Sequence, residues 1–457
     1  MSKLAITGGK PIRKAEFSAS IFIDDDEQLL IQKVLDRREF SRFMGSPSLD
    51  IDKQLSMPST SAVDYKSQYF TFLGGKMVRL FESEFAKKFA QPFAISVNSC
   101  TSGLSVALGA CGIGPGDEVI TTCMSFNATA MSILMFNSIP VFVDISPDNY
   151  CMDPGKISEA ITDKTKAILV VHLLGFPADM DSILNIAREH ELYVIEDCAQ
   201  APGTKYRGKY VGTFGNFGVF SFQETKNIMT GEGGMVITAD PDLAKKARLI
   251  RNHGESVPDS SWKDEELVNM VGMNFRMTEV TAALGVAQLR KLDENNRLRK
   301  KNADYLCDKL KTLSGLQTPV FDSDTIPHVV PFIYESKDGG PDRNKVLEAL
   351  RAEGIPVGSG YTRLMSDNPI FQRKIAYGKG NCPWSCHLYG VERDYSIDEF
   401  PVSRDLLENR FIWFYHIGRP NGFKDMDDVG KAFKKVFSQL GELKKISISN
   451  EVKKYKW

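Results

Sequence analysis

A chain of 457 residues is too long for one ordinary hydrophobic core and calls for two or more lobes. Its 42% hydrophobic and 25% charged content is that of a soluble globular protein. Basic residues number 57 against 58 acidic ones, which argues against a nucleic-acid-binding surface at whole-chain level.

The first residues, Met1 to Gly9, lack the apolar run of a signal peptide, and no apolar stretch reaches membrane-spanning length. The expectation is a cytoplasmic protein without a membrane partner. Residues 36–78 show weak periodicity, with Ser46-Pro47-Ser48, Met57-Pro58 and Gly74-Gly75, and read as a long loop or lid insertion. From Phe93 to Ala239 short β-branched runs alternate with helical patterns. The runs are Phe93–Val97, Glu118–Thr121, Ile139–Asp144, Ala167–His172, Tyr193–Glu196, Gly218–Phe222 and Gly234–Thr238. Few of them alternate strictly between apolar and polar, as expected of strands buried on both faces. Helices between them, such as Asp179–His190, complete an α/β pattern with a mainly parallel seven-stranded sheet.

Ligands in such sheets bind at the carboxyl ends of strands, and polar residues collect there. Asn98-Ser99-Cys100-Thr101-Ser102-Gly103 follows the first strand and opens a helix, whose free N–H groups suit an anion. Phe126 follows the second strand and is either a core residue or a ring for stacking on a ligand. Asp197 ends an apolar strand, where a buried acid needs a partner, and Gln200 lies just beyond it. Ser221 closes another strand, Lys226 follows, and Thr230-Gly231-Glu232-Gly233-Gly234 allows a sharp turn behind the lysine.

A lysine and an acid at neighbouring strand ends are two parts of a pyridoxal 5'-phosphate (PLP) site. The lysine holds the cofactor aldehyde as a Schiff base, and the acid keeps the ring nitrogen protonated. Downstream, Leu243–Arg251 and Thr278–Leu310 read as helices, the second a long connector. Val329–Tyr334, Asp342–Glu353 and Ile355–Val357 then read as strand, helix, strand. The expected division is an N-terminal segment with the insertion at 1–80, a large PLP-binding domain at 81–305 and a smaller α+β domain at 306–457. The eight cysteines read as reduced thiols. Cys382 to His387 alone has metal-like spacing and lacks a second ligand cluster, so no metal is expected. The basic end around Lys453-Lys454 reads as a solvated tail.

These motifs resemble the DegT/DnrJ/StrS group of PLP-dependent sugar aminotransferases, of the aspartate aminotransferase-like fold type I. The similarity runs from about Leu35 to Val436. It is carried by Asn98–Leu104, Gly114–Ile120, Pro140–Asp144, Val171–Gly175, Ile195–Gln200, Phe220–Gly234, His253-Gly254 and Gly272–Met277. The resemblance implies that Lys226 binds the cofactor and transfers the proton, and that Asp197 pairs with the ring nitrogen. It implies that Phe126 stacks on the ring, Gln200 lies against it, and Cys100, Thr101 and Ser221 hold the phosphate. Asn274 would reach that phosphate from a neighbouring subunit, in a homodimer with shared sites. Glutamate or glutamine would donate the amine to a keto sugar, commonly nucleotide-linked.

The chain departs from the family at Cys100, where Gly or Ala is frequent, and at Gln223, where many members have His. The Gly360-Tyr361-Thr362-Arg363-Leu364 segment and the long 45–75 insertion also differ, where the acceptor should bind. A non-nucleotide acceptor, met by Arg363, Arg373 or Arg419, is the alternative. A sugar dehydratase of the same fold would have histidine at Lys226. A non-catalytic regulator would carry a DNA-binding module, and the sequence has none.

Overall fold

The computed structural model describes residues 2–43, 73–254 and 270–446, apart from 338, 397 and 398. Most of the predicted insertion and the basic tail lie outside these residues. Two helices flank the insertion, α1 (Asp25–Arg37) and α2 (Lys76–Lys88).

Seven strands form the main sheet: β1 (Phe93–Val97), β2 (Glu118–Thr122), β3 (Ile139–Val143), β4 (Thr165–Val171), β5 (Tyr193–Asp197), β6 (Phe217–Ser221) and β7 (Gly234–Thr238). Their spatial order is β1-β7-β6-β5-β4-β2-β3. Only β7 runs antiparallel to its neighbours. The sequence-predicted strands match these with ends shifted by a residue or two. The buried, unalternating runs have their cause here: β2, β3, β6 and β7 are buried at every residue, because helices cover both faces.

Crossover helices are α3 (Cys100–Ala110), α4 (Ala128–Leu134), α5 (Pro154–Ala160) and α6 (Met180–Glu189), and α7 (Pro241–Arg251) follows β7. Asp179 caps α6, its carboxylate accepting from Ser182 N, so the helix begins one residue inside the predicted span. The other face is closed by α2 and by α8, a 32-residue helix over Glu279–Leu310 that is capped by Thr278. Phe81, Phe85, Phe220 and Phe222 meet there ring against ring.

Beyond α8 lies a second, antiparallel sheet of β8 (Leu316–Gln317), β9 (Val330–Tyr334), β10 (Val357–Gly358) and β11 (Phe411–Phe414), in the order β8-β9-β11-β10. Helices α9 (Arg343–Ala352) and α10 (Phe423–Phe437) accompany it. The N-terminal residues dock on this layer: the amides of Ala5 and Ile12 both donate to the buried Glu353 carboxylate.

Candidate active site

The register gathers several strand ends on one edge of the main sheet. Val97 of β1 and Ser221 of β6 both pair with Gly234, and Asp197 pairs with Val219 on β6 and Val171 on β4. Asp197, at the buried end of β5, is the centre of the group. Its Oδ1 accepts from Ala199 N at 3.1 Å and faces Cys100 Sγ at 3.9 Å, and its Oδ2 accepts from Thr129 Oγ1 at 3.1 Å. Burial raises its pKa, against the opposing hydrogen bonds of Ala199 and Thr129 and the charge of Lys226.

Lys226 is placed by the turn after β6. Phe222 N donates to Gly233 O at 2.9 Å, Thr230 N to Phe222 O at 2.7 Å, and Glu224 N to Gly231 O at 2.9 Å. Lys226 N closes the tip on Gln223 O at 2.9 Å. The residue is half-exposed, but its amine is desolvated and its pKa lowered, with Cys100 and Asp197 opposing the shift. Ser221 is buried, its hydroxyl accepting from Gln223 N at 3.3 Å. Gln223, the departure noted above, has its side-chain oxygen turned to Thr225 N and Oγ1.

The Asn98–Gly103 segment does open a helix. Ser99 caps α3, its Oγ accepting from Ser102 N at 3.1 Å. The N–H groups of Cys100 and Thr101, first in the helix, have no acceptor within it. Gly234 fits against this turn because it lacks a side chain: a Cβ there would meet Ser99 C at 2.7 Å and Cys100 N at 2.8 Å.

Gln200 Oε1 accepts from Leu174 N and its Nε2 donates to Tyr361 OH, both at 2.8 Å. Phe126 is 67% exposed, which excludes the core reading and leaves its ring available to a ligand. Asn274 is not among the groups around Asp197. It is exposed, and its carbonyl accepts from Asn98 Nδ2 at 3.4 Å. Arg363 and Arg373 are exposed as well. Arg419 pairs with Glu294 at 2.5 Å and lies over Phe22.

Sequence reasoning missed Thr129, Ser125, Tyr361 and the buried His328, whose Nδ1 donates to Asn227 Oδ1 at 3.4 Å. Burial, helped by the charges of Lys226 and Arg299, holds His328 far below its usual pKa. The sequence also hid a compact cluster of His172, Glu196 and Cys198. The lone pairs of its His172 and Glu196 are engaged. Glu196 accepts from Gly212, Phe214 and Gly215 N–H and from His172 Nε2, and His172 Nδ1 accepts from Ala178 N. That leaves a structural network with no free ligand pair for a cation. All eight cysteines are free thiols.

Residues 59–392 match the DegT/DnrJ/EryC1/StrS aminotransferase family. The chain belongs to that family. It is 37% identical to an L-glutamine:2-deoxy-scyllo-inosose aminotransferase of Streptomyces kanamyceticus, over 79% of this chain and 86% of that protein. It is 36% identical to the spore coat polysaccharide biosynthesis protein SpsC of Bacillus subtilis, over 72% and 86%. The structure of DesI in the presence of its TDP-sugar product superposes with a TM-score of 0.77 at 25% identity, covering 96% of this chain and 97% of DesI. This aminotransferase is therefore PLP-dependent, and among its described residues no helix is long and apolar enough to cross a membrane.

The sheet edge around Asp197 in this aminotransferase suits that cofactor. It offers a buried carboxylate for a protonated ring nitrogen, a desolvated amine and an exposed aromatic ring. A helix start with two free N–H groups, set against Gly234, is suited to a phosphate.

Proposed function

We propose that Lys226 holds PLP and moves the substrate proton, with Asp197 facing the ring nitrogen. Phe126 stacks on the ring and Gln200 lies beside it. Cys100, Thr101 and Ser221 receive the phosphate. The observation that carries this reading is the meeting of Lys226, Asp197 and the start of α3 at one sheet edge. When bound, PLP supplies an aldehyde that takes up an amino group and a ring that withdraws electrons from the substrate carbon. The protein's part is to keep the Lys226 amine poised for proton transfer by desolvation. Its second part is a carboxylate at Asp197, fixed by the Ala199 N–H and the Thr129 hydroxyl.

The donor we assign is L-glutamine, with L-glutamate as its close substitute, and the acceptor a polyhydroxylated cyclic ketone without a nucleotide. Support comes from the inosose aminotransferase, matched over most of its length, and from the altered Gly360–Leu364 segment. The likeness to DesI favours a second reading, a nucleotide-linked keto sugar. We also propose a homodimer in which Asn274 serves the partner's site. Val271, 71% exposed, and Met273, 39% exposed, flank Asn274 and offer apolar surface for a second subunit to cover.

The test is the absorption of the PLP-loaded protein. L-Glutamine should bleach the yellow band, and 2-deoxy-scyllo-inosose should restore it. Restoration only by a TDP-keto sugar would select the second reading. A yellow band in Lys226→Ala would remove Lys226 from its role.

A further inference from the structure

A file of hydroxyls runs behind Asp197 that the reaction as described does not use. Thr129 Oγ1 donates to Asp197 Oδ2 at 3.1 Å, and Ser125 Oγ lies 3.0 Å from Thr129 Oγ1. Each hydroxyl carries one proton, and that fixes the direction of the chain. An ionised carboxylate only accepts, so the Thr129 proton points to Asp197. Thr129 must then accept from Ser125.

Every donor therefore points toward the carboxylate, and hydrogen bonds aligned in this way strengthen one another. Ser125 and Thr129 are 5% and 1% exposed, so water has little access to replace either. Ser125 precedes α4 and Thr129 lies within it.

We infer that Ser125 and Thr129 are positioning residues that form a relay. The relay orients the Asp197 carboxylate and sets how strongly it draws the ring-nitrogen proton. This inference rests on the reading of Asp197 as the partner of that nitrogen. Without the Thr129 donor the carboxylate is a stronger base. It takes more of the shared proton, the ring carries less positive charge, and the bound cofactor withdraws electrons less well.

The experiment is a spectrophotometric pH titration of the PLP-loaded enzyme. The variants are Thr129→Val, Thr129→Ser, Ser125→Ala and Asp197→Asn. Valine keeps the shape of threonine and removes the donor. We expect Thr129→Val to raise the apparent pKa of the cofactor band by about half a unit, from one lost hydrogen bond partly transmitted to the ring. Thr129→Ser should restore it. Ser125→Ala should shift it the same way by less, and Asp197→Asn by more than any other. In Thr129→Val, kcat should fall several-fold with the donor's KM unchanged.

Wild-type titration in Thr129→Val and Ser125→Ala, beside a shifted Asp197→Asn, overturns the relay and leaves Asp197 in place. Wild-type titration in Asp197→Asn overturns the reading of Asp197 itself. Should Thr129→Val not fold, Ser125→Ala decides the same question.

Discussion

Glu196→Gln is expected to destabilise this protein severely, although the side chains are nearly identical in shape. Four hydrogens end on the carboxylate. Oε2 accepts from Gly212 N at 2.7 Å and from His172 Nε2 at 3.0 Å, and Oε1 accepts from Phe214 N and Gly215 N, both at 2.7 Å. The proton of His172 is on Nε2, because Nδ1 accepts from Ala178 N. A glutamine turns one of its two ends into an NH2 group, so on either flip two donors face a donor. Each buried donor left unmade costs about 1–3 kcal/mol, so the pair costs about 2–6 kcal/mol. That is a large part of the roughly 5–15 kcal/mol that holds a native protein together.

The assay is urea unfolding of the PLP-free protein, followed by far-UV circular dichroism and tryptophan fluorescence, with Glu196→Ala beside it. The midpoint should fall with the slope unchanged. A loss below about 1 kcal/mol would refute the reasoning, since it would mean that the 212–215 turn does not depend on these bonds. Side chains alternate along a strand, so Glu196 secures that turn on one face of β5 while Asp197 serves the other.

Gly234→Ala should push the start of α3 away from β7, since its Cβ would come within 2.7 Å of Ser99 C. We expect about 1–3 kcal/mol of lost stability and PLP affinity weakened roughly tenfold, read by unfolding and by fluorescence titration with PLP. His328 should make stability pH-dependent. It stays neutral in the fold, whereas the unfolded chain takes up a proton below the ordinary value of 6.5. The unfolded state then binds more protons, so stability falls as pH drops through that value. His328→Asn should flatten the difference in unfolding midpoint between about pH 5 and about pH 7.5, and an unchanged slope would show that His328 does not titrate on unfolding. Cys100→Ala should cost PLP affinity less than about threefold, because the thiol meets Asp197 only at 3.9 Å and the helix N–H groups remain. A larger loss, measured by the same titration, would give the sulfur a direct part in binding.

The buried strands and the two chemical residues were legible because each carries a local signature. Runs such as Val-Val-His before Leu173 and Val194-Ile195-Glu196 have no polar alternation, and that pattern follows from burial on both faces. The strand β11 was missed. Phe411-Ile412-Trp413-Phe414 is short and apolar, and periodicity does not separate such a run from a buried helix turn. Phe126 was left open between core and ligand by its local sequence, and only its exposure in the fold excludes the core.

The sequence by itself determined the type of fold, the family, and the lysine and acid at neighbouring strand ends, since these rest on spacing along the chain. Tertiary structure decided what surrounds them. Thr129 and Asp197 are 68 residues apart, and Gln200 and Tyr361 are 161 apart, so nothing in local order pairs them. The closed His172–Glu196 network likewise appears only when β4, β5 and the 212–215 turn pack together. A hydrogen bond needs its two atoms within about 3 Å, and for residues far apart in the chain only folding sets that distance.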